Sequence, residues 1–187
     1  MKSLILARKK QHLSQRKLAH LSDISYKTLQ LLEQDADARL STLSNLAQGF
    51  GYSKKVFLNY VEDFFSIPPH SVIVASQKIL VDGFSSWKIH LFDFVDEFRH
   101  RPDFSLIEHM PVDKLHPKIR ALFASTVECL CEETGLACPA WTQAILPLTK
   151  PWFVAEVENL KATALLESPT HLRKRDIFVL GNFLSRM

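Results

Sequence analysis

The chain has 187 residues, 47% of them hydrophobic, with 23 basic and 20 acidic side chains. That length suits one large or two small domains, and the apolar content is ample for packed cores. A formal net charge of only +3 excludes a chain coated over its whole surface in nucleic acid, and leaves room for one that touches it with a single face.

Taken in chain order, a first helix is expected from Lys2 to His12, with Leu4, Ile5 and Ala7 inward and Arg8, Lys9 and Lys10 facing water or phosphate. Ser14 is a hydroxyl N-cap, and behind it Leu18, Ala19 and Leu21 recur on one face of a short helix. Ser22-Asp23 breaks that helix, Ile24 points inward, and Ser25 caps the next helix, Tyr26 to Gln34. Leu29 and Leu32 fall on its buried side, leaving Tyr26, Lys27, Gln30 and Leu31 outward. Two short capped helices joined by a tight turn are the pattern of a helix-turn-helix. Such a motif sends the start of its second helix into the DNA major groove, where polar and cationic side chains reach base edges. Outward Tyr26 and Leu31 either touch thymine methyl groups or mark a helix that has drifted from reading DNA.

The residues Ser14-Gln15, Leu18-Ala19, Ile24-Ser25 and Leu29 with Leu32-Glu33 give this stretch its likeness: it resembles the lambda-repressor-like (Xre/Cro) DNA-binding domains. The resemblance covers about the first third of the chain and implies a compact five-helix domain. It also implies that Gln15 contacts backbone or base and that Tyr26, Lys27, Thr28 and Gln30 read sequence. Where the family usually has glycine at the turn, this chain has Leu21-Ser22. Charge agrees with the resemblance. From residue 1 to Arg39 there are eight basic side chains against four acidic ones, a net of +4, so the positive field sits on this module. The DNA-contacting set is therefore Gln15, Arg16, Lys17, Ser25, Tyr26, Lys27, Thr28, Gln30 and Arg39, the last in a loop that either touches phosphate or is simply solvated.

Ser41 is expected to cap a fourth helix carrying Leu43, Leu46 and Ala47, ended by Gly49-Phe50-Gly51 with glycine available for a left-handed cap. Ser53 begins a fifth, with Val56, Phe57, Tyr60 and Val61 apolar at helical spacing. The DNA-binding domain then spans residues 1–66. Prolines at 68 and 69 mark a boundary, because they remove donors and force the preceding residue out of helix. Residues 67–75 read as a linker in which Ser71 to Ala75 is either a short strand or a buried connection.

Residues 76–187 read as a mainly helical second domain, so the fold class is all-α. Trp87, Leu91, Phe94, Val95 and Phe98 form one apolar stripe, stopped by a cationic turn at Arg99-His100-Arg101-Pro102. A long helix is expected from Lys118 to Thr134 with Ile119, Leu122, Phe123, Thr126 and Leu130 on one face and Gly135 as its stop. Trp152 to Leu166 reads as an amphipathic helix, and Ser168-Pro169 as an N-cap followed by proline. Arg173-Lys174-Arg175 extends a DNA contact, docks an acidic partner, or is a solvated helix start.

The strings around Trp87–Val95, Pro151–Val154, Glu158–Lys161, Glu167–Pro169 and Arg175–Arg186 faintly resemble a domain of bacterial antitoxins encoded beside nucleotidyltransferase-like, abortive-infection toxins. The resemblance implies a toxin partner, for which Trp87, Trp152, Glu158, Asn159, Arg173 and Arg175 are the candidate contacts.

Catalysis has little to stand on. Glu158-Asn159-Lys161 beside Trp152 allows a binding pocket, and Asp93, Asp96 and Glu97 are a solvated helix edge or a carboxylate cluster. The chain has no phosphate-cradling glycine loop, nucleophile elbow or metalloprotease helix. Cys129 and Cys131 fall two apart on an expected helix, pointing to different faces, which suits free thiols better than zinc. An odd number of cysteines, no membrane-length apolar run and no signal-peptide core after Met1-Lys2-Ser3-Leu4 point to a reduced cytoplasmic protein. The expectation is a cofactor-free, non-enzymatic repressor, autoregulatory and antitoxin-like, that binds double-stranded DNA as a homodimer. The alternatives are a protein primarily devoted to neutralising a toxin, and a repressor that senses a small molecule.

Overall fold

The computed structural model describes residues 2–185 and divides into two compact units, Met1–Ser66 and Ile67–Met187. Among the described residues the fold is all-α apart from one pair of two-residue strands.

The first unit has five helices: α1 (Lys2–Lys10), α2 (Gln15–Leu21), α3 (Tyr26–Glu33), α4 (Leu40–Gly49) and α5 (Lys54–Ser66). Ser14 and Ser25 cap α2 and α3 as expected, each hydroxyl accepting from the backbone N–H three residues on, of Lys17 at 3.1 Å and Thr28 at 3.0 Å. Leu4, Leu18, Ala19, Leu29, Leu32 and Leu46 form the core, with Ile24, Leu43 and Phe50 packed against it. Leu21 and Ala7 are exposed rather than inward. α1 ends two residues early because His12 takes a left-handed φ of 54°. α4 starts at Leu40 with Arg39 as its N-cap, not Ser41, and without a side-chain cap. Gly51, at φ 92°, supplies the left-handed turn after it.

The turn between α2 and α3 departs from glycine at Asp23, which holds φ 50°; aspartate is among the few side chains that tolerate that region. One turn of α4 comes so close to it that a Cβ on Gly49 would lie 1.9 Å from the Ser22 hydroxyl. Gly49 is what lets α4 close over the turn.

The second unit begins in helix: α6 (Val72–Asp82) starts inside the expected linker, with buried Val72 and Ala75 on its inner face. Apolar side chains at 72, 75 and 79 have helical spacing, which a five-residue window was too short to show. α7 (Trp87–His100) buries Trp87, Leu91, Phe94, Val95 and Phe98 as expected. α8 (Pro117–Thr134) ends on Gly135 at φ 71° and is buried all round from Ala121 to Cys131, not on one face. It is the central helix, so its small and polar members Ser125, Thr126 and Glu128 are enclosed as well.

Between α9 (Trp141–Ala144) and α10 (Lys161–Glu167) the expected long helix from Trp152 is absent. Instead β1 (Trp152–Phe153) pairs in parallel with β2 (Ile177–Phe178), in the register Trp152 to Ile177 and Phe153 to Phe178. A partner strand 25 positions away in sequence captures two aromatics of high strand preference, and Glu156 turns the chain away at φ 54°. Before α11 (Thr170–Arg173), Pro169 and not Ser168 is the N-cap. The Ser168 hydroxyl is buried, bonded to the Ala164 carbonyl and accepting from the Val179 N–H at 2.8 Å.

Candidate nucleic-acid interface

The outer face of the two capped helices is built on a chain of side-chain bonds that begins below it. On α1, the Arg8 guanidinium donates to both Glu33 carboxylate oxygens, at 2.7 and 3.2 Å, and to the Leu13 carbonyl. Arg8 is therefore part of the structure rather than a free cation facing phosphate. Hydrogen bonding by Arg8 and Gln15 holds the Glu33 carboxyl below its ordinary value against the opposing effect of its burial. Gln15 Nε2 donates to Glu33 at 2.6 Å, its Oε1 accepts from the Tyr26 hydroxyl at 3.2 Å, and that hydroxyl accepts from Gln30 Nε2 at 3.0 Å. The Arg16 guanidinium sits 5.9 Å from the Tyr26 ring centre, within cation–π range. One connected network thus ties α1, the start of α2 and the first two turns of α3.

This placement sorts the expected contact residues. Lys17 and Lys27 are exposed, Arg16 is exposed and braced by Tyr26, and Gln30 is half-exposed with its amide oriented by the network. Gln15 is half-buried and held from both ends. Ser25 and Thr28 hydroxyls bond to each other at 2.7 Å at the head of α3, so their first duty is capping. Tyr26 is outward, but it acts as the brace between Gln15 and Gln30. Leu31 is 46% exposed on the same helix. Arg39 is exposed at the start of α4. All of these residues lie in or beside the motif in the sequence, but nothing there shows the pairing of Arg8 with Glu33, which spans 25 positions and leaves no periodic signal.

A pair of short capped helices with a braced, cationic outer face is the architecture of a helix-turn-helix DNA-binding domain. Residues 4–57 match the model of the Helix-turn-helix family, in line with the lambda-repressor-like likeness of the same stretch, and this first unit is a helix-turn-helix domain. No curated protein and no solved structure matches the chain.

In the second unit the candidate partner contacts separate into two groups. Trp87 and Trp152 are buried and meet edge to face at 5.8 Å in the core, where no partner reaches them. Arg175 is likewise interior, not a solvated helix start. It forms a two-bond fork with Glu128 at 2.7 and 2.8 Å and donates to the Thr142 and Ile145 carbonyls. Lys174 Nζ reaches the same carboxylate at 2.6 Å. Burial alone would raise the Glu128 carboxyl, but these cations hold it down to about 2. Glu158, Asn159 and Arg173 are exposed, and Glu158 pairs with Lys161 at 2.6 Å. The pocket expected beside Trp152 and Glu158 lies elsewhere. Two adjoining surface cavities of ≈ 600 and ≈ 510 Å³ share His116 and Lys118 at the start of α8, with Arg120 and Lys150 on the first. Cys129 and Cys131 are buried in α8, and burial pushes both thiols up to about 12. No helix among the described residues is long and apolar enough to cross a membrane.

Proposed function

We propose that the protein is a sequence-specific, non-enzymatic transcription repressor that binds double-stranded DNA through its first unit and acts as a homodimer. The observation that carries this reading is the outer face of α3, held in place by its serine cap and by the Arg8–Glu33–Gln15–Tyr26–Gln30 chain. Side chains that must meet base edges within a few tenths of an ångström gain from such bracing, because less freedom is lost on binding. Lys27 and Gln30 read bases, while Gln15, Arg16, Lys17 and Arg39 set register on phosphates. Two such helices, one per protomer, meet successive major-groove faces of a near-palindromic site, about one helical turn apart. Repression follows from occupancy of the promoter.

Of the six candidate toxin contacts, Glu158, Asn159 and Arg173 are exposed while Trp87, Trp152 and Arg175 are used internally by the fold, so half of that set is out of a partner's reach and the DNA-binding reading takes precedence.

Fluorescence anisotropy of the full chain on its own upstream DNA, against a scrambled fragment and across a salt series, tests the proposal. Tight binding to the first alone, weakening steeply with salt, is expected. Equal and weak binding to both fragments overturns it. Lys27→Ala should cost about 1–3 kcal/mol of specific affinity, the worth of one good base contact. Unchanged affinity and preference would remove Lys27 from the reading set.

A further inference from the structure

The second unit is close to electrically balanced, with thirteen basic and fourteen acidic side chains over residues 67–187. Its cations are not evenly used. Arg99 pairs with Glu133, Lys161 with Glu158, and Lys174 and Arg175 share Glu128. The two adjoining cavities at the start of α8 are different. Lys114, Lys118, Arg120 and Lys150 line them together with His116, and no aspartate or glutamate does among the described residues. Among those residues Lys114, Lys118 and Lys150 also have no carboxylate within ion-pair distance. Lys118 Nζ rests instead over the Trp152 ring, 5.3 Å from its centre. Arg120 reaches one carboxylate, that of the exposed Asp113, at a loose 3.5 Å. Its Nε–H is buried with no hydrogen-bond partner among the described residues. A buried donor without an acceptor is costly, and a cleft lined by one sign of charge concentrates its field and draws the opposite charge.

The other walls are apolar. Leu80 and Phe84 on the second cavity and Leu146 on the first leave 46%, 47% and 77% of their surface in water. At ≈ 600 and ≈ 510 Å³, each cavity is the size of a small-ligand site, and apolar walls with a few charged groups are the usual make-up of one. His116 and Lys118 line both cavities, so a ligand centred on that shared edge reaches into each. An inorganic anion would leave the apolar walls wet, and an uncharged apolar molecule would leave the cations without a counter-charge.

We propose that the two cavities form one binding site for an organic anion with an apolar body. Its carboxylate or phosphate head lies at the shared edge on Lys118, with Arg120 and Lys150 to one side and Lys114 to the other. Its body covers Leu80, Phe84 and Leu146. The site lies wholly within the second unit, so it stands whether or not the first unit binds DNA.

Isothermal titration calorimetry on the full chain tests it, with octanoate and octyl phosphate as probes, each below its micelle concentration. Octan-1-ol and inorganic phosphate supply the body without the charge and the charge without the body. At least one of the two amphiphiles should bind at one site per chain, and the tighter of them identifies the head as carboxylate or phosphate. Octan-1-ol and inorganic phosphate should each bind about tenfold or more weakly. K118Q/K150Q should weaken the better amphiphile about tenfold or more, and L80S/L146S by a similar factor, with far-UV circular dichroism unchanged in both. K161Q, which removes a cation of the same unit that lines neither cavity, should leave the affinity unchanged. Binding of neither amphiphile, or affinity undiminished in either double variant, overturns the proposal. So does octan-1-ol binding as tightly as the better amphiphile, inorganic phosphate binding as tightly as octyl phosphate, or a loss in K161Q equal to that in K118Q/K150Q.

Discussion

Gly49→Ala sets two physical effects of opposite sign against each other. In a helix, replacing glycine by alanine ordinarily stabilises by about 0.5–1 kcal/mol, because the unfolded chain has less freedom to lose. Here the added Cβ would stand 1.9 Å from the Ser22 hydroxyl oxygen, 3.0 Å from its Cβ and 3.1 Å from its backbone nitrogen. The hydroxyl can rotate away, but the Cβ and nitrogen belong to the turn between α2 and α3 and are buried with it, Ser22 being 2% exposed. Overpacking of this kind costs about 1–3 kcal/mol. Subtracting the propensity gain leaves a net loss between about 0 and 2.5 kcal/mol, centred a little above 1 kcal/mol, or roughly a factor of ten in local opening. Hydrogen exchange read peptide by peptide is the assay: amides of α2 and α4 should exchange roughly ten times faster, while those of α8 stay unchanged. Trp87, Trp141 and Trp152 all lie in the second unit, so a tryptophan-monitored urea midpoint that does not move confirms that the damage is local. In S22A/G49A the worst contact is gone and part of the loss should return. Exchange slower than wild type in Gly49→Ala would mean that α4 does not close on the turn as described.

Three other outcomes follow from the same contacts. Glu33→Gln removes the negative charge and turns one of the two acceptor oxygens of the Arg8 fork into a donor, and should cost the first unit about 2–3 kcal/mol, the range for bonds to charged groups. It should also weaken DNA binding, since Gln15 and Tyr26 lose their anchor; undiminished DNA affinity would show that the network is only structural. Glu128 has a carboxyl held from 4.5 down to about 2, so its contribution to stability is complete above about pH 4.5 and is lost as pH falls toward 2. That gap amounts to about 3 kcal/mol, and the tryptophan-monitored urea midpoint should fall across it. Glu128→Gln should flatten this dependence and, by leaving Arg175 buried without its counter-charge, cost about 3–5 kcal/mol at neutral pH. Finally, Cys138 is exposed while Cys129 and Cys131 are buried with thiols pushed up to about 12, so one thiol per chain should react promptly with Ellman's reagent at pH 8 and the other two only on unfolding. Three prompt equivalents would contradict the enclosure of α8.

Local signals carried much of the design. The caps at Ser14 and Ser25, the leucines behind them and the run of cations were enough to place the helix-turn-helix and its outward face, because capping and helical periodicity act over three or four residues. The same holds for α7 and for the Gly135 stop of α8. Tertiary structure decided what depends on groups far apart in sequence. Arg8 and Arg175 read as surface cations until Glu33 and Glu128 are brought to them across 25 and 47 positions. Trp87 and Trp152 read as partner anchors until they meet each other in the core. The Trp152 segment has the spacing of a helix and becomes a strand only because Ile177–Phe178 arrives beside it. A charge or an aromatic ring has no fixed role in a sequence, since its free energy depends on whether water, an ion partner or another side chain surrounds it, and packing alone settles which.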